Sequence, residues 1–290
     1  MPRTHSPAGQ VGQRLPVEYR VARFLGQEGT TRTEVYWGGR TGPFMDADSS
    51  SEVEMTIVRH GSQYRRLGQV SRVYSGDQIM GDGWEGTAPQ RMVVNGGRDT
   101  HHFSLQWDWH SRGEPGRPAG QRLGMFAARV DTLEPIRAEA SELEMSDLRL
   151  MSVPPSARDE GGSILQKTVP YPYDTVPAKT PLFLYFEIYH LDQSAEGQTR
   201  YTVTYEARRQ TRKGFLGRLF GDDTQTKVTS TTADYTGRKR RTEEYLQLDL
   251  EADPERPQPT QVTVRVTDNV TGNEIERSLS LTMTPSEGGR

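Results

Sequence analysis

Residues His102–His110 read HFSLQWDWH. Phe103, Leu105, Trp107 and Trp109 fall on every second position, and His102, Ser104, Gln106, Asp108 and His110 fill the places between. Successive side chains of a β-strand point to opposite faces, so this alternation predicts a strand with one face in a core and one toward water. The same period runs through Val53, Met55 and Ile57, which alternate with Glu52, Glu54 and Thr56. It is preceded by two more strand-like stretches, VEYRVARFL from Val17 and TRTEVYWG from Thr31.

Further along, Pro181–Leu191 (PLFLYFEIYHL) is apolar at almost every position, as expected of a central strand covered on both faces. Tyr201, Val203 and Tyr205 alternate with Thr202, Thr204 and Glu206, and the simplest pairing is a hairpin with 181–191 across the polar loop Asp192–Gln198. Strand patterns recur at TKVTSTTADY, EEYLQLDL, TQVTVRVTD and NEIERSLSLTM. The last two are joined through Asn269-Val270-Thr271-Gly272, where glycine suits a positive-φ turn position.

A chain of 290 residues is long for one sandwich, and 29 Gly and 18 Pro suit short strands with many turns. The expected fold is therefore all-β, with two tandem antiparallel β-sandwich modules of immunoglobulin or fibronectin type at 17–140 and 141–285. Residues 1–16 read as a disordered leader and 286–290 as a tail.

Composition excludes several functions. With no cysteine there are no disulfides, thiolate nucleophiles or Cys-ligated zinc. A net charge of -3 gives no global attraction to nucleic acid, no run is apolar enough to span a membrane, and Met1–Pro16 lacks the apolar core of a signal peptide. Neither Gly-x-Ser-x-Gly nor a phosphate-binding glycine loop occurs. His101, His102, Asp108 and His110 are metal-ligand types, but His102 and His110 lie about 25 Å apart on a straight strand. No metal, cofactor or catalytic residue is expected.

Two clusters remain as candidate sites. Phe215, Leu216, Leu219 and Phe220 sit among basic residues in RRQTRKGFLGRLFGDD with the spacing of a short amphipathic helix, a candidate docking element, and the basic run Arg238-Lys239-Arg240-Arg241 follows downstream. Tyr185, Glu187, Tyr189, Tyr201 and Tyr205 form the second, an aromatic sheet face around a carboxylate that would grip a sugar or peptide if exposed. The alternative is cross-strand packing, with Glu187 paired to an arginine such as Arg200 or bonded by a tyrosine hydroxyl.

Three stretches in order carry a family resemblance: GTTRTEVYW from Gly29; Ser146, Asp147 and Leu148 at the junction; and, in the second module, Pro170, then Pro181, Leu182, Tyr185, Phe186, Glu187, Ile188, Tyr189 and Leu191, followed by Gly197, Thr199, Tyr201, Val203 and Tyr205. Together they resemble the C-terminal β-rich region of bacterial GWxTD-domain-containing proteins. The naming motif itself is absent, since Gly83-Trp84-Glu85-Gly86-Thr87 has the wrong spacing. The resemblance implies a separated C-terminal portion of an exported, cell-envelope protein and brings no activity with it. The functional expectation is a non-enzymatic structural or interaction scaffold with an unknown protein partner, and the alternative is a carbohydrate- or peptide-binding module.

Overall fold

The computed structural model of the chain describes residues 13–39, 51–61, 63–80, 87–113, 118–137, 142–158, 163–212, 224–250, 253 and 256–285. They form an all-β protein of several antiparallel sheets, divided into two compact units. Unit 1 holds the residues through Pro135 together with Val153–Pro172, and unit 2 holds Ile136–Ser152 and the residues from Tyr173 onward. The passage between units thus falls at Ile136, and Val153–Pro172 returns to unit 1, where a single boundary at 140 was expected.

Unit 1 contains β1 (Val17–Leu25), β2 (Thr31–Gly39), β3 (Ser51–His60), β4 (Arg66–Ser75), β5 (Gln90–Asn95), β6 (His101–Ser111) and β7 (Arg122–Leu133). One sheet runs β7-β6-β3-β4, widened at the β7 side by Gln13–Arg14, which pairs in parallel with Gly124–Met125; the other runs β1-β2-β5. One core draws on both sheets: Val17, Val35, Trp37, Met92 and Val94 from the narrow sheet meet Val53, Met55, Ile57, Phe103, Leu105 and Trp107 from the wide one. The period-two stripes of the sequence are therefore the two walls of this core. Leu15, assigned by its polar surroundings to the leader, has no exposed surface and belongs to the core, so the ordered chain includes part of the stretch expected to be disordered.

Unit 2 contains β8 (Glu144–Met145), β9 (Arg149–Ser152), β10 (Thr175–Pro177), β11 (Leu182–Tyr189), β12 (Thr199–Arg212), β13 (Thr224–Gly237), β14 (Thr242–Leu248), β15 (Gln258–Asp268) and β16 (Glu274–Thr284). Its wide sheet runs β10-β16-β15-β12-β13, with β10 parallel to β16, and its narrow sheet includes β9-β11-β14, with β8 also pairing with β11. Every residue of β11 is buried, as the continuous apolar run requires.

The hairpin expected between 181–191 and 199–209 does not form. β11 pairs with β9 and β14, whereas β12 pairs with β13 and β15 in the other sheet. The connection crosses between sheets, and Asp268 ties it down. This wholly buried carboxylate accepts the amide of Asp192 through Oδ2 (2.7 Å) and the amide of Val270 through Oδ1 (2.8 Å).

The two units repeat one plan. In each, a wide sheet has the order short parallel strand, last, penultimate, then a consecutive pair (β3-β4 in unit 1, β12-β13 in unit 2), and the narrow sheet centres on the strand before that pair (β2 or β11). The sequence shows no short-period repeat, because the units share a strand order and very few residues.

The β15–β16 turn is as read from NVTG: Gly272 has φ 79°, and the amide of Gly272 donates to Asp268 O at 2.7 Å. A Cβ at Gly272 meets nothing within 4 Å, so Gly272→Ala strains the backbone alone. Left-handed backbone costs an L-residue about 1 kcal/mol, and that loss is the outcome expected in urea unfolding.

Candidate functional site

Each unit buries a glutamate on the central strand of its narrow sheet. Glu187 lies on β11 between Tyr185 and Tyr189, which share its face. The Tyr185 hydroxyl donates to Glu187 Oε1 and the Tyr189 hydroxyl to Oε2, both at 3.0 Å, while Arg241 Nη2 reaches Oε2 at 2.5 Å. The main chain is clamped as well: Glu187 N–H donates to Ser146 Oγ, and Ser146 N–H donates to Glu187 O, each at 2.9 Å. The Arg149 guanidinium lies 4.0 Å from the Tyr185 ring centre and that of Arg241 5.3 Å from Tyr189.

Glu34 on β2 repeats the arrangement in unit 1. It is wholly buried, Arg91 Nη2 on β5 donates to its Oε1 at 2.7 Å, Arg32 Nε lies 3.0 Å from the same oxygen, and the Tyr36 hydroxyl donates to Oε2. The residues behind this match are Thr33-Glu34-Val35-Tyr36 and Phe186-Glu187-Ile188-Tyr189. A Glu followed by a β-branched residue and Tyr was the signal for the repeat, visible only once the strand order had aligned the two stretches.

The aromatic face expected around Glu187 is not one surface. Tyr185 and Tyr189 lie on the narrow sheet and Tyr201 and Tyr205 on the wide one, where Tyr201 donates to the buried Glu244 of β14. The four rings are 1–6% exposed and Glu187 is 1% exposed, so none offers a platform to a sugar or peptide. A carboxylate that holds two hydroxyls and a guanidinium and is 1% exposed is a structural node, engaged and out of reach of a substrate. Of the two sequence readings of this cluster, packing is the one realised, with Arg241 in place of Arg200 as the partner.

Burial raises the pKa of Tyr185 and of Tyr201, reinforced by the neighbouring charge of Glu187 and by the hydrogen bond to Glu244 respectively, and it pushes Tyr205 up to about 12. A phenol whose folded pKa exceeds its unfolded value, about 10, contributes stability that is complete below pH 10 and lost as pH rises through the folded value. For Tyr205 the window is roughly pH 10 to 12. Absorbance at 295 nm should show these tyrosines ionising together with loss of near-ultraviolet circular dichroism.

On β6, His101, His102 and Asp108 are likewise engaged, His101 Nδ1 with Asp99 O at 2.9 Å. His102 Nδ1 accepts the Thr132 amide at 2.9 Å and its ring stacks on Tyr64 at 4.5 Å, while Asp108 accepts from Gln106 Nε2 (2.5 Å) and pairs with Arg122 (3.0 Å). Among the described residues no three His, Asp or Glu side chains gather as a metal site. His190 Nε2 bonds Arg137 O at 2.7 Å. The basic run is half consumed: Arg241 binds Glu187, and Arg240 Nε donates to Leu191 O at 3.0 Å. Phe215, Leu216, Leu219 and Phe220 lie outside the described residues.

A different feature was not anticipated. In unit 1, exposed large apolar side chains collect along β4 and the neighbouring edge of β5: Tyr64, Leu67, Val70, Val73 and Val93 are 40–52% exposed. β4 is the last strand of the wide sheet and pairs only with β3 among the described strands. Val70 stands opposite Ile57, on the core side, yet is 42% exposed because the three-stranded sheet does not extend over it. The overhang leaves a groove of about 520 Å³ lined by Val70, Ser71, Arg72, Arg91, Met92 and Val93. The β5 side is tied to the wide sheet by the Tyr74 hydroxyl, which donates to Arg91 O at 3.3 Å, and by Arg59 Nη1, which donates to Asn95 O at 2.9 Å.

No protein-family model matches the chain, and no curated protein matches it. The resemblance to GWxTD-domain proteins therefore stands on the quoted residues alone. No helix among the described residues is long and apolar enough to cross a membrane.

Proposed function

We propose that this chain is a non-enzymatic interaction scaffold made of two immunoglobulin-like β-sandwich modules. The strand order supports the module type. With β2 to β7 taken as strands B, C, C′, E, F and G, the wide sheet is G-F-C-C′ and the narrow one A-B-E, the variable-type arrangement with no C″ or D strand among the described residues, and unit 2 repeats it. The observation that carries the interaction reading is Val70, which stands on the core side of the edge strand β4 yet is 42% exposed over a groove that Met92 and Val93 also line, since scattered surface valines need no explanation and an uncovered core-side position does. The buried carboxylates support it from the other direction, because their bonds are spent on holding sheets together. An exported, envelope setting belongs to the same proposal through the family resemblance.

Two equally exposed edge valines give the test: Val73 on β4 and Val228 on β13 are 50% and 52% exposed. With each replaced in turn by benzoylphenylalanine and irradiated in cells, position 73 should give a discrete adduct, identified by mass spectrometry, and position 228 should not. Equal yields at both positions, or none at either, would remove the reading.

A further inference from the structure

Resting on that interaction reading, we infer that β4 is a strand-addition edge whose occupant is an extended acidic segment of a partner protein, with apolar residues alternating with Asp or Glu. An edge strand carries a row of unpaired backbone N–H and C=O groups, and proteins blunt such edges with charge, polarity or proline. The two units allow a comparison at the same place in one strand order. β13, the counterpart of β4, presents Thr226, Lys227, Ser230, Thr231, Thr232 and Asp234 to solvent around a single exposed large apolar side chain, Val228, among its described residues. β4 presents three, Leu67, Val70 and Val73, among the exposed Arg66, Gln69, Ser71 and Arg72. One edge is blunted and the other is left receptive.

Charge selects the occupant. From Gly61 to Gly76 the sequence has no Asp or Glu, while Arg65, Arg66 and Arg72 lie on or beside the strand. None of the three is paired to a carboxylate among the described residues: Arg66 bonds Gln69, and Arg72 lies over the Tyr74 ring at 5.1 Å. Elsewhere arginines are spent on acids, as Arg122 is on Asp108, Arg241 on Glu187 and Arg265 on Glu276. A segment added along β4 places every second side chain over the overhang, against Val70, and the others toward water. Its backbone completes the ladder, and its outward acidic residues meet Arg66 and, beside the strand, Arg65, while Arg72 stands with Val70 on the overhang face, opposite the core residue Met55. A second copy pairing β4 with β4 would set arginines against arginines, so self-addition is disfavoured.

The test uses the full chain and three labelled ten-residue peptides alternating Val with Glu, Val with Lys, and Ser with Glu, read by fluorescence anisotropy. The Val/Glu peptide should bind at least ten-fold more tightly than either control. Reversing Arg65→Glu, Arg66→Glu and Arg72→Glu together should weaken it by at least ten-fold and shift preference to Val/Lys. Val70→Ser with Val73→Ser should weaken it several-fold at unchanged charge; all these side chains are exposed, and a matching thermal melt verifies folding. Equal binding of Val/Glu and Ser/Glu, which would mean charge attraction alone, overturns the inference. So does indifference to the arginine reversals, or self-association of the chain that Val73→Ser abolishes in ultracentrifugation. A crosslinked partner at Val73 whose adduct maps to a segment lacking acidic residues would sink this inference and leave the interaction reading standing.

Discussion

Glu187→Ala should lower the stability of unit 2 by about 3 kcal/mol, read as a fall in the urea midpoint followed by tyrosine circular dichroism. The loss is large because the carboxylate is 1% exposed and serves three donors. Its removal leaves two buried tyrosine hydroxyls without an acceptor, each costing about 1–3 kcal/mol if unrelieved, and breaks a charge-assisted bond. The effect stays at the low end of the range for broken buried ion pairs, about 3–5 kcal/mol, because the Arg241 side chain is 48% exposed and finds water. Glu187→Gln keeps the shape and one good acceptor and should cost about 1 kcal/mol. Were Glu187 a functional carboxylate held under strain, Glu187→Ala would leave the midpoint unchanged or raise it.

The larger effect belongs to the unit 1 core. Trp107→Ala should cost about 3–5 kcal/mol, the range for deleting a buried aromatic. The ring has no exposed surface and packs against Phe126 at 5.4 Å, Tyr19 at 5.6 Å and Trp37 at 6.2 Å. Its indole N–H has no hydrogen-bond partner among the described residues, so the side chain acts as pure apolar volume. Trp107→Phe keeps most of that volume and removes the unsatisfied donor, and should cost no more than about 1.5 kcal/mol. All four tryptophans, at 37, 84, 107 and 109, belong to the first 135 residues, so indole fluorescence follows this transition.

Much of this architecture is legible in the sequence, for a reason visible in β6 and β11. Period-two alternation reports how many faces of a strand are buried: β11 is buried on both as its pattern requires, and β6 buries its apolar face, although His102 and Asp108 of the face expected toward water are buried too. Alternation says nothing about which strand lies alongside. That is why the 181–191 and 199–209 stretches, consecutive and both rich in tyrosine, invited a hairpin that the structure replaces with a crossing between sheets. The supposed tyrosine face failed with it, since Tyr185 and Tyr189 share a sheet with Arg241 while Tyr201 faces Glu244 from the other.

The receptive edge was hidden for a related reason. RLGQVSRVYS looks like any moderately apolar strand, and Val70 occupies a core-side position in its register. Its exposure comes from a mismatch in width between five strands and three, a property of the assembled sheets. The Glu34 and Glu187 cages lay closer to hand, because an acid amid apolar strand residues signals a partner that must be supplied from another strand. The sequence named the acids and left Arg91 and Arg241, 57 and 54 residues away, to the fold.

Amide hydrogen exchange across the whole chain, alone and in purified complex with the partner identified through Val73, tests the central claim most directly. The account predicts slowed exchange confined to residues 66–75 and the facing edge of 90–95, with the Glu187 region and β13 unchanged. Slowed exchange on β13 or around Glu187, with 66–75 unaltered, would contradict it.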